Sequence, residues 1–129
     1  MRILVIEDSD SIRHMIEALV RARGHEVEAV QTGARGIDSA LLRPPDAILL
    51  DLPLPGGFDG LEVCRRLRQA DQTRAVPIIV ISSLTDDASK QLAIDAGATA
   101  YYTKPFSPTA LLKELEWIPV RSSGRIRLK

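Results

Sequence analysis

Glu7 and Asp8, Asp51, Ser82 and Lys104 each stand directly after a short, mainly apolar run: Ile3-Leu-Val-Ile6, Ala47-Ile-Leu-Leu50, Pro77-Ile-Ile-Val-Ile81 and Ala100-Tyr-Tyr-Thr103. If those runs are neighbouring parallel strands, their ends meet at one edge, and with them three carboxylates, a hydroxyl and an ammonium. Three carboxylates held together repel one another, and an all-oxygen ligand set of that charge suits a hard divalent cation such as Mg2+, with Mn2+ as the alternative. A carboxylate beside such a cation forms an acyl phosphate once the incoming phosphoryl oxygens are neutralised, which makes Asp51 the candidate nucleophile. Lys104 supplies a point charge for those oxygens and the Ser82 hydroxyl one hydrogen bond. Any one of these residues alone is what a strand end meeting solvent looks like. Acid pair, acid, hydroxyl and lysine after four separate runs make a phosphoryl site.

The elements that must position them are legible in the hydrophobic pattern. A fifth run, Glu26 to Val30, completes a set of five strands, three of them continuous in apolar residues, as central parallel strands covered on both faces are. Ile12, Met15, Ile16, Leu19 and Val20 recur at helical spacing before the stop at Arg21, Arg23 and Gly24. Ile37, Ala40 and Leu41 precede Pro44-Pro45, and Leu61, Cys64 and Leu67 precede the polar turn at Asp71. Asp86 to Ala96 has the faintest stripe, Leu92 and Ala96 among small alanines, and predicts a loosely packed helix. Ser107 as N-cap and Pro108 at the first helical position open a last helix carrying Leu111, Leu112 and Leu115, which Pro119 is expected to end. The order is (βα)5: an α/β fold, a three-layer sandwich with ligands beyond the carboxyl ends of a parallel sheet.

Composition narrows the function classes. The chain has 129 residues, 45% of them hydrophobic, which fits one domain with a single core. Its 17 basic and 17 acidic side chains cancel, so no global field draws it to nucleic acid or an anionic membrane. No stretch approaches the roughly 18 apolar residues of a spanning helix. Cys64, the single cysteine, cannot form an internal disulfide, and a reducing cytoplasm is the expected location. Cys64 reads as a small core residue, and His14 and His25 have no partner at metal or catalytic spacing. The division expected is 1–118 for the domain and 119–129 for a basic C-terminal tail or linker start. With four cationic side chains that tail gives only weak, salt-sensitive contact with phosphates, and no direct nucleic-acid binding is expected of the domain.

The motifs Ile3-Leu-Val-Ile-Glu-Asp8, Ala47-Ile-Leu-Leu-Asp51-Leu-Pro-Leu-Pro55, Asp59-Gly60-Leu-Glu-Val-Cys-Arg65, Val76-Pro-Ile-Ile-Val-Ile-Ser82 and Ala100-Tyr-Tyr-Thr-Lys104-Pro-Phe106 resemble, over residues 2 to about 117, the receiver domain of bacterial two-component response regulators, of the chemotaxis-regulator type. The resemblance implies a flavodoxin-like sheet of order 2-1-3-4-5. It implies that Asp51 takes a phosphoryl group from the phosphohistidine of a sensor histidine kinase or phosphotransfer protein. Asp8 and Asp51 would hold Mg2+ directly, Glu7 through water, and Pro53 by its backbone carbonyl, which proline keeps. Ser82 and Tyr101 would be the switch pair, with output to a partner protein or effector domain through the fourth helix, fifth strand and fifth helix, a face through which such domains also form homodimers. A cis Lys104-Pro105 bond is expected too. The protein is then not an enzyme, apart from Mg-dependent phosphorylation and dephosphorylation of itself.

Three departures bear on this. The turn Leu54-Pro-Gly-Gly-Phe-Asp-Gly60 has one residue more than the usual pattern, and its two glycines make it permissive. Ser83 replaces the usual Ala or Gly. Pro53 and Leu84 hold positions that in this family help set acyl-phosphate lifetime, and neither side chain can orient a water, so slow self-dephosphorylation is expected. Two other functions compete. A phosphatase of the haloacid dehalogenase type needs a second Asp two residues after the nucleophile, where this chain has Pro53. A degenerate receiver, a protein-binding platform independent of phosphate, is supported by the lengthened turn alone.

Overall fold

The computed structural model describes residues 1–52 and 60–122, with side chains of the last helix described as far as Glu116. Strands β1 (Arg2–Ile6), β2 (Glu26–Val30), β3 (Ala47–Leu52), β4 (Ile78–Ser82) and β5 (Ala100–Thr103) alternate with helices α1 (Asp10–Ala22), α2 (Gly33–Leu42), α3 (Gly60–Gln69), α4 (Asp87–Ala96) and α5 (Pro108–Ser122). All pairings are parallel and the sheet order is β2-β1-β3-β4-β5. This is the expected flavodoxin-like arrangement.

The period-2 geometry of a strand explains why the runs are apolar without interruption. Leu4, Ile6, Ile48, Leu50, Ile78 and Val80 point to one side, where they pack with Ala40 of α2, Val63, Cys64 and Leu67 of α3, and Ala93 and Ala96 of α4. Ile3, Val5, Leu49, Ile79 and Ile81 point to the other and meet Ile16 and Val20 of α1 and Leu111 and Leu115 of α5. Side-chain caps start the helices: the Ser9 hydroxyl accepts from Ile12 N at 3.4 Å, Thr32 from Arg35 N at 3.2 Å, Asp86 from Ser89 N at 3.0 Å and Ser107 from Ala110 N at 3.3 Å.

Three expectations about elements need correction. Met15 is 44% exposed, and the α1 residues that turn inward are Arg13, Ile16 and Val20. In α4 the core-facing residues are Ala93 and Ala96, while Leu92, at the edge of that stripe, is 54% exposed. Pro119 does not end α5, which continues to Ser122. A proline removes one amide donor, whereas the residues after it still have carbonyls of the preceding turn to bond.

Candidate functional site

The sheet register assembles the site. Ile6 pairs with Leu50, which sets Glu7 level with Asp51, and Leu52 pairs with Ser82, which pairs in turn with Thr103, the residue before Lys104. Asp51 is the last residue but one of β3 and Ser82 the last of β4, so both lie within their strands instead of just beyond them. Carboxylate oxygens of Glu7, Asp8 and Asp51 lie within 4.8 Å of one another. Glu7 and Asp51 are buried and Asp8 is exposed, so the cluster opens to solvent on the Asp8 side.

Lys104 Nζ forms an ion pair with Asp51 Oδ1 and lies 3.9 Å from Glu7 Oε1. The Lys104-Pro105 bond is cis, as expected, and Lys104 N–H donates to the Ser82 carbonyl at 2.7 Å. The strand β4 thereby anchors the lysine at its main chain while its ammonium reaches the carboxylates. Glu7 is fixed at several points. Its N–H donates to Val30 O at 3.0 Å and its Oε2 accepts from Ser9 N–H at 3.1 Å. Burial first, then the neighbouring Asp51 carboxylate, pushes the Glu7 carboxyl up to about 8. Crowded carboxylates of this kind are a donor set that a hard divalent cation fits.

Ser82 is fully buried, and its hydroxyl accepts from Leu84 N–H at 3.0 Å. Tyr101, half-buried, donates its hydroxyl to Leu84 O at 2.7 Å. The two residues singled out in the sequence are therefore joined through the backbone of a single residue. Tyr101 packs against the α3 and α4 side of the sheet, not under α5, and lines an apolar groove of roughly 180 Å3 with Leu61, Leu84 and Leu92. Pro53, the lengthened turn, the side chain of Trp117 and the tail from 123 lie outside the described residues. Cys64 is fully buried, as expected of a core residue, and His25 Nδ1 lies 3.3 Å from the N-terminal amine.

The linking role of Leu84 is invisible in sequence because it is made by backbone groups. Arg13, whose guanidinium donates to Glu7 O at 3.1 Å and pairs with Asp10, is likewise hidden: its one signal is a cation at a position next to the apolar stripe.

The family model described as response regulator receiver domain matches residues 3–116. Among curated proteins, the KDP operon transcriptional regulatory protein KdpE of Escherichia coli is 42% identical over 104 residues, 81% of this chain and 44% of that protein. The chain spans about half the length of the curated relatives it matches. Among solved structures, the chemotaxis protein CheY4 of Vibrio cholerae superposes with a TM-score of 0.84 at 32% identity, covering 91% of this chain and 97% of that one. The receiver domain of the sensor histidine kinase PA1611 of Pseudomonas aeruginosa, with a magnesium ion coordinated in its active site cleft, gives 0.84 at 34% identity and covers 92% of this chain and 97% of that one. Among the described residues, no helix is long and apolar enough to cross a membrane.

Proposed function

The chain belongs to the response regulator receiver domain family of two-component systems, and from that premise we propose that Asp51 accepts a phosphoryl group from the phosphohistidine of a sensor histidine kinase or phosphotransfer protein. The observation that supports this best is the buried Asp51 carboxylate, paired with Lys104 and crowded by Glu7 and Asp8. A carboxylate oxygen of Asp51 forms a bond to phosphorus as the bond from phosphorus to the donor imidazole nitrogen breaks, and that nitrogen keeps the electron pair. Lys104 neutralises the phosphoryl oxygens, and the Ser82 hydroxyl turns from Leu84 N–H to donate to one of them. Glu7, Asp8 and Asp51, with the Pro53 carbonyl, would hold Mg2+. When bound, the ion offsets negative charge on the carboxylates and the transferred group.

Signalling follows from the same hydroxyl. Withdrawing it from Leu84 N–H frees the loop that also accepts the Tyr101 hydroxyl, so Tyr101 repositions and the face made by α4, β5 and α5 changes shape. That face would act on an output protein, an effector domain or a second copy of the chain. Leu84 is 49% exposed and its side chain has no polar group with which to orient a water, which favours slow hydrolysis of the acyl phosphate.

The test is the mass of the protein after incubation with acetyl phosphate and Mg2+. A gain of about 80 Da, the phosphoryl increment, is expected in the natural sequence and is lost in Asp51→Asn or with chelator. No gain in folded protein would leave the phosphate-independent platform as the better reading. Decay of the labelled species as fast as in regulators with polar residues at the Pro53 and Leu84 positions would refute slow hydrolysis.

A further inference from the structure

We propose that Arg13 is a positioning residue of the cation site, holding the turn between β1 and α1 in the conformation that presents Glu7 and Asp8. This rests on the reading of the site as an Mg2+ site.

Arg13 lies in the first turns of α1, beside the apolar stripe of Ile12 and Ile16, and is only 7% exposed. An arginine is rarely buried to this extent unless its donors are engaged, because desolvating an unpaired guanidinium is costly. Its partners stand at the two ends of the turn that links β1 to α1: Glu7, directly after the strand, and Asp10, the first residue of the helix. Nη1 donates to the Glu7 carbonyl at 3.1 Å, and Nη2 pairs with Asp10 Oδ1. With Glu7 N–H on Val30 O and Glu7 Oε2 on Ser9 N–H, the main chain of Glu7 is tied on both sides and its side chain once more. The bond from Arg13 is the one that fixes the peptide plane leading from Glu7 into Asp8. Asp8 is exposed, so its direction depends on that plane more than on packing.

The planar fork matters, since two acceptors in different directions are met by one rigid group. A lysine has the charge and the stem but one point of contact. Outer partners of this sort act on a metal through the ligands they hold in place.

Calorimetric titration with magnesium chloride, well below the melting temperature, separates this role from a purely structural one. Arg13→Met keeps an apolar stem and loses every donor. It is expected to weaken Mg2+ binding at least about tenfold, the usual scale for loss of an outer partner. Its labelling rate by acetyl phosphate at saturating Mg2+ should stay within about twofold of the natural protein, because no group touching phosphorus has been removed. Arg13→Lys should recover part of the affinity. A folded Arg13→Met protein with a lower melting temperature but unchanged Mg2+ affinity overturns the proposal. Should Arg13→Met not fold, Arg13→Lys decides: affinity equal to the natural protein overturns it. Natural protein that itself binds no Mg2+ removes the functional reading and this inference together, whereas loss confined to the Arg13 question leaves the natural protein's affinity intact.

Discussion

A carboxyl buried beside another carboxylate keeps its proton until a cation replaces it, and Glu7 is in that situation. Its pKa rises from the usual 4.5 to about 8, through burial first and Asp51 next. Because the folded value is the higher one, the native protein holds more proton than the unfolded chain between those limits. The stability this gives is fully present below about 4.5 and is lost as pH rises through about 8. Metal-free protein should therefore melt at a lower temperature at pH 8.5 than at pH 6, and Glu7→Gln should flatten that part of the profile. A cation must displace the proton, so Mg2+ affinity should rise by up to about tenfold per pH unit below about 8 and then level. Calorimetry at three pH values checks this, and a flat affinity profile in the natural protein would count against it. At this scale the sequence was informative where chemistry sits on side chains. Glu7, Asp8, Asp51, Ser82 and Lys104 each stood at the end of an apolar run and the structure brings them together. Arg13 was hidden, since a cation on a helix usually marks the solvent face.

Elements are held in place at the far end of the sheet by another arginine. Arg68 of α3 donates to Gly97 O at 2.9 Å, Val76 O at 2.5 Å, Arg74 O at 3.1 Å and Thr99 Oγ1 at 3.3 Å, so one side chain ties α3, the approach to β4, the end of α4 and the start of β5. Arg68→Ala leaves several half-buried carbonyls without their donor and should cost about 2–4 kcal/mol, on the scale of unsatisfied buried polar groups. Urea unfolding would show it as a lower midpoint with an unchanged slope. Gly97 belongs to the same joint. It caps α4 with φ +118°, and a methyl group there would stand 2.6 Å from Arg68 Cγ. Gly97→Ala should destabilise by about 1–3 kcal/mol through backbone strain. Combined with Arg68→Ala it should cost less than the two separate losses together, because the clash disappears with the side chain. Strand and helix existence was legible here from the apolar runs. Which residues of α4 face the core was not, because hydrophobicity ranks Leu92 above the two alanines whereas the phase of the helix turns Ala93 and Ala96 inward. The continuation of α5 past Pro119 was equally illegible, since a proline marks one missing donor and not where a helix must stop.

At the level of the whole molecule, the order of the sheet and the location of the site follow from one property: strands apolar on both faces must be covered on both, and parallel strands then gather their carboxyl ends. Two of the three carboxylates directly follow β1 and the third lies in β3, strands that are adjacent in the sheet and contribute to both hydrophobic clusters. A ligand bound there cannot be lost by fraying of an edge strand or a terminal helix. Unfolding of the site itself requires opening the central strands, so the binding energy should appear in the global transition and not in a local one. At Mg2+ one hundred times its dissociation constant the stabilisation should be about 2.7 kcal/mol. For a domain of this size that corresponds to roughly 10 °C in melting temperature, at about 4 °C per kcal/mol. Differential scanning calorimetry should show one transition that moves upward as a whole with Mg2+, and Asp8→Ala should keep the transition while losing most of the movement. Two separate transitions, with only the lower one sensitive to Mg2+, would mean that the cation is held by a part of the molecule that opens independently, and the central placement of the site would then not govern its energetics.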